Sequence, residues 1–148
     1  MPRVRELSNG SVAEKRSNYI INGAFDLWQR GTSLGSGTSA RFLADRIGND
    51  SSGTTYTSSR QTFSVGQTDV PGSPTYFHRT SFSSVAGAGN YCAPFTRLED
   101  VTRFASKTMT LSFWVRSSVA KNIAVEFGQE FGSGGSPSGG VNTIGLVS

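Results

Sequence analysis

Eight carboxylates lie beyond residue 17: Asp26, Asp45, Asp50, Asp69, Glu99, Asp100, Glu126 and Glu130. A glycosidase needs two such groups about 5–9.5 Å apart in a cleft, and none of these sits in a motif that would set up the pair. His78 is the single histidine; among the polar residues of Thr75–Phe82 it reads as a surface or cross-strand residue, not a general base. No G-x-S-x-G nucleophile elbow is expected. Neither is a phosphate loop ending in Gly-Lys-Ser/Thr. Cys92 stands alone, so an intrachain disulfide and a cysteine metal cluster are both excluded, and it reads as a small buried apolar residue. The chain is therefore expected not to be an enzyme.

Binding chemistry is better represented. A sugar site needs an aromatic face to stack on a pyranose ring and polar groups for its hydroxyls. Trp114 and Arg116 share one phase of an alternating run, and Gln129 follows on the next expected strand. Together they are the candidate set for a glycan or a protein partner. Trp28, Tyr56 and Tyr76 form a second, weaker set. Tryptophans also serve cores and subunit interfaces, and Trp28 reads as core.

Alternation carries the fold reading. Met109, Leu111, Phe113 and Val115 interleave with Thr110, Ser112, Trp114 and Arg116, the clearest period-two pattern in the chain. This predicts a strand that lays the first set into a core and leaves Trp114 and Arg116 on the other face. Ile123, Val125 and Phe127 repeat it, and Val141–Val147 starts another. Asn18–Ser33 reads as a first strand, broken by Asn22-Gly23, and 31–40 as a loop. Further strands are expected at 60–65, 75–82 and 91–95, with a helical turn or edge strand over 98–104. The polar run 49–59 has high β-propensity and little core, and Asp45-Arg46 reads as a charge pair that holds a turn.

Composition agrees with short strands and many turns. The 148 residues include 18 glycines, and hydrophobic residues make up 35%. Helical periodicity is absent. The expected fold is all-β, an antiparallel β-sandwich. A net charge of +4 raises nucleic acid as a partner, but the Lys and Arg residues are scattered and form no basic stripe interleaved with aromatics. No apolar run of about 18 residues is present to cross a membrane, and no signal peptide is read. A soluble product made in the cytoplasm is expected, with no nucleic-acid partner and no membrane insertion.

Three strings carry a resemblance: NYIINGAFDLWQRGTS over 18–33, Ala44-Asp45-Arg46, and SKTMTLSFWVRS over 106–117. The Asn-Gly-x-Phe-acid opening followed by Trp resembles the first strand of carbohydrate-binding jelly-roll modules. The fuller set resembles virion proteins of tailed bacteriophages, over roughly Asn18 to Phe131. The family usually places an aromatic after Ala-Asp-Arg, where this chain has Ile47-Gly48.

The resemblance implies a jelly roll over 18–148, preceded by residues 1–17 as an arm or linker, or a disordered tail. It implies a virion protein, in a tail fibre or appendage, attaching to a host surface glycan by weak multivalent binding. The alternative is a capsid decoration, cement or tail-joining protein with no sugar ligand. Other virion proteins are the implied partners, and a homo-oligomer, a trimer, is the implied assembly. Asp26 matches the acid that ligates a structural calcium in such modules, with a solvent-facing strand residue as the other reading; no further cofactor is expected. Members continue through further strands, so the sandwich reads as incomplete, either a fragment or completed by a neighbour.

Overall fold

The polar run that reads as poor in core turns out to supply most of it. Asn49, Ser51, Thr54, Tyr56 and Ser58 are all buried, beside Leu43, Ala44 and Ile47. The computed structural model describes residues 18–83, 85–121, 123–128 and 141–145. Eight strands are assigned among them: β1 Ser33–Gly37, β2 Arg41–Phe42, β3 Ile47–Ser52, β4 Tyr56–Thr62, β5 Tyr76–Phe82, β6 Tyr91–Thr96, β7 Ile123–Phe127 and β8 Val141–Gly145. The fold is all-β.

The first six strands make two three-stranded antiparallel sheets, ordered β1-β4-β5 and β2-β3-β6. After β1 the chain leaves for the second sheet, returns for β4 and β5, and leaves again for β6. This arrangement is consistent with a β-sandwich. β4 and β5 pair without interruption from Tyr56↔Phe82 to Thr62↔Tyr76, and β3 pairs with β6 from Ile47↔Thr96 to Ser52↔Tyr91. Side chains alternate along a strand, so Asn49 and Ser51 turn inward from β3 while Tyr56 and Ser58 turn inward from β4.

Buried polar groups are tolerated only where they are hydrogen-bonded, and these are. Asn49 Nδ2 donates to Ser58 Oγ (2.6 Å) and lies 3.0 Å from His78 Nε2, while Thr80 Oγ1 donates to Asn49 Oδ1 (3.1 Å). The Tyr56 hydroxyl sits 2.7 Å from the Asn49 carbonyl and 2.8 Å from that of Ser39. The two sheets are thus joined by an amide-centred network rather than by aliphatic packing alone. Gly48 permits the close approach beside it, since a Cβ there would meet Phe95 Cζ at 2.6 Å.

Several expectations need correction. Residues 18–30 form no strand; turns occupy 21–24 and 29–30. Asn22 (φ 61°) and Phe25 (φ 57°) adopt left-handed backbone, which breaks an extended run despite the apolar content. Strand β1 forms inside the expected loop instead, because β4 offers it a pairing edge (Ser33↔Ser59, Leu34↔Ser58), with an irregularity before Gly37↔Tyr56. The strand expected at 60–65 lies earlier, at 56–62: the Gln67 N–H to Ser64 O turn ends it, and Val65 is fully exposed. Asp45 pairs with Arg30 (3.6 Å) rather than serving only as half of an Asp45–Arg46 pair.

The chain divides into two units, Met1–Leu98 and Glu99–Ser148. In the second, a 3₁₀ turn over Val101–Phe104 is capped by Asp100, whose carboxylate accepts from the Thr102 N–H. β7 and β8 pair antiparallel from Ile123↔Gly145 to Phe127↔Val141. The run Met109–Arg116 is not a strand. Met109, Leu111, Phe113 and Val115 are exposed along with Trp114, so the expected burial of the first set does not occur among the described residues. Period two records which side chains would share a face, but a strand also needs a ladder partner and a covering layer. Residues 1–17, Gln129 and the Gly/Ser stretch 132–140 lie outside the described residues.

Candidate functional site

The three strings singled out in the sequence behave in two different ways. The first two are stitched together. Asn22 turns its side chain back onto its own segment: Nδ2 donates to the carbonyls of Leu27 (2.9 Å) and Asp45 (3.0 Å), and Oδ1 accepts from the Leu27 N–H (2.9 Å). The Asp45 N–H then donates to Leu27 O (3.0 Å). Asparagine suits the position because it tolerates positive φ and its amide can mimic backbone. The Trp28 indole N–H donates to Phe25 O, and Trp28 packs edge-on against His78 with centroids 6.0 Å apart. Trp28, expected in the core, is half-buried in a cluster with Phe25 and His78.

Asp26 lies on this segment but is exposed. No group of three or more His, Cys, Asp or Glu side chains that could hold a metal occurs among the described residues. A calcium at Asp26 would have to draw its other oxygens from backbone carbonyls, amides or hydroxyls, or from residues not described.

The third string presents its side chains to solvent. Trp114 is 69% exposed, well above its usual burial, and residues Leu111–Val115 line a shallow depression around it. Arg116 follows two residues on and is exposed as well. An uncovered indole face and a guanidinium two residues apart are chemically suited to a sugar ring or to a partner's apolar and acidic groups. Gln129 lies outside the described residues, so its relation to them is not part of this site. Asp26 belongs to the first unit, Trp114 and Arg116 to the second.

Of the weaker aromatic candidates, Tyr56 is excluded as a ligand contact because it is 1% exposed and is spent on the core network. Tyr76 is half-buried and carries the Arg60 guanidinium over its ring at 4.4 Å. His78 is a half-buried cross-strand residue. It faces Arg60 across the β4–β5 ladder, yet its ring is drawn inward beneath Phe25 and Trp28. Burial pushes its pKa down to about 4, so the imidazole is neutral near pH 7.

The remaining chemistry is structural. Gly31-Thr32-Ser33-Leu34-Gly35 does satisfy the G-x-S-x-G spacing. It opens β1 and leads to β2 rather than to a helix, so the elbow that would activate Ser33 is not formed. Asp50 accepts from the Tyr91 hydroxyl (3.1 Å), and Asp100 is held low by its bonds to Thr102 and Arg103. Cys92 is half-buried; burial, then the Asp50 charge, pushes its thiol up, away from nucleophilic thiolate. No helix among the described residues is long and apolar enough to cross a membrane. Comparison with protein-family models, curated proteins and solved structures gave no match.

Proposed function

We propose that this chain is a structural protein of a tailed-phage virion, part of a tail fibre or appendage, that contributes to host attachment through weak glycan contacts repeated over many copies. The observation that carries this reading is the uncovered Trp114, with Arg116 beside it in sequence, on one of the three strings that resemble such proteins. The completed fold in this reading is a jelly roll, the assembly is a homotrimer, and the chain acts by binding, without catalysis. One indole–sugar contact is weak, but linking several raises avidity by roughly 10²–10⁴-fold.

The test is binding of the folded chain, displayed multivalently, to host cell envelopes, with and without envelope polysaccharide as competitor. Binding that polysaccharide competes away and that Trp114→Ala abolishes supports the reading. Absence of binding in a folded sample defeats it. Loss of polysaccharide viscosity on incubation would instead indicate a depolymerase.

A second reading has an observation of its own. Met109, Leu111, Phe113 and Val115 are exposed in the same run as Trp114, and exposed apolar clusters mark protein interfaces. A capsid decoration, cement or tail-joining protein would bury this run against another virion protein. In that case envelope binding is absent, and Trp114→Ala weakens incorporation into particles.

A further inference from the structure

A titratable ring lies in the network that joins the two sheets. Asn49 of β3 reaches Ser58 on β4 and His78 and Thr80 on β5. With Asn49 Nδ2 donating, His78 Nε2 must be an unprotonated acceptor, its proton resting on Nδ1. Phe25 and Trp28 close over the imidazole, with centroids 5.7 and 6.0 Å away. With the amide in this orientation the network takes a neutral histidine at a half-buried position, at the seam between the sheets.

We propose that the Asn49–His78 contact, with Ser58 and Thr80, is an acid-released latch between the two sheets of the first unit. Protonation at Nε2 removes the acceptor and sets an N–H against the Asn49 amide hydrogens. Turning the amide over would restore a bond to His78, but the cation would remain beneath two aromatic rings and partly withdrawn from water. The described groups around it offer no carboxylate to compensate. Arg60 faces His78 from β4 and is a cation itself, stacked on Tyr76. β1 carries no titratable residue, and β3 presents the neutral Asn49 while Asp50 is bonded to Tyr91. β6 contributes Tyr91, whose hydroxyl donates to Asp50, and Cys92, whose thiol is pushed up by burial and the Asp50 charge. On the segment above the ring, Asp26 is exposed, and Asp45 is taken by Arg30.

The direction of the effect follows from linkage. The unfolded chain takes the proton at the ordinary value of 6.5, the folded chain only at about 4, so stability is complete above pH 6.5 and falls as pH drops toward 4. Between pH 7.5 and pH 5 the unfolding constant is expected to rise about thirty-fold.

His78 is the only histidine, so its ring-proton resonance can be followed without ambiguity. In the folded protein it is expected to titrate near 4; a midpoint between 6 and 7 overturns the proposal, whatever any variant does. Urea unfolding at the two pH values supplies the second measurement. The wild-type rise is expected, and His78→Gln is expected to change less than about three-fold, because the titrating group is gone. An undiminished rise in His78→Gln overturns the latch. If that variant does not fold, hydrogen exchange of the wild type decides: protection of the β3 and β4 amides is expected to fall more than about tenfold between pH 7.5 and pH 4.5, and unchanged protection refutes release.

Discussion

Replacing Asn22 with alanine tests whether the Asn-Gly string acts as architecture or as a ligand contact. The substitution removes three hydrogen bonds, to Leu27 N–H, Leu27 O and Asp45 O, at 2.9 to 3.0 Å. Two are solvent-exposed and stabilise by about 0.5 kcal/mol each, and the half-buried bond to Asp45 O by about 1 kcal/mol. Alanine also fits φ 61° poorly, at a cost of about 1 kcal/mol. The expected loss is about 3 kcal/mol, a large part of the 5–15 kcal/mol typical of a domain. Asn22→Gly loses the same bonds but accepts the backbone angle, so about 2 kcal/mol is expected after the extra freedom of its unfolded chain is counted. Urea unfolding gives both values, with the emission of Trp28, three residues beyond Phe25, reporting on the segment. A cost below about 1 kcal/mol for Asn22→Ala would rule out this architectural role for Asn22. Intact stability together with lost envelope binding would make Asn22 a ligand contact instead.

Other outcomes follow from the same geometry. Gly53 has φ 68°, and a Cβ there would meet Asn90 Oδ1 at 1.9 Å; Gly53→Ala is expected to destabilise by about 2 kcal/mol, and adding Asn90→Ala should recover only the steric part in thermal unfolding. Tyr56→Phe removes the hydroxyl shared by the Ser39 and Asn49 carbonyls, with an expected loss of about 1–2 kcal/mol by urea unfolding. Trp114→Ala changes an exposed residue and should leave stability within about 0.5 kcal/mol, so any loss of envelope or particle binding can be assigned to the contact itself.

Much of the strand pattern was legible in the residues. β5, β6, β7 and β8 lie where alternation and turn signals put them, and the 3₁₀ turn falls inside the segment expected to hold a helical turn or an edge strand. β1 and β3 were not readable. SLGSG and IGNDSS are small and polar, and they become strands because neighbours offer hydrogen-bonding edges far away in sequence. The opposite error occurred at Met109–Arg116, where an ideal pattern found no ladder among the described residues.

The candidate site divides along the same line. Residue types alone suggested binding rather than catalysis as an expectation, because local pattern reports which side chains can share a face. The tertiary structure alone decided that Asn49 is core with His78 half-buried against it, that Tyr56 is closed to any ligand, and that Trp114 is open. Burial and pairing depend on contacts between residues about 9 to 31 positions apart in the network around Asn49, and no local pattern contains them.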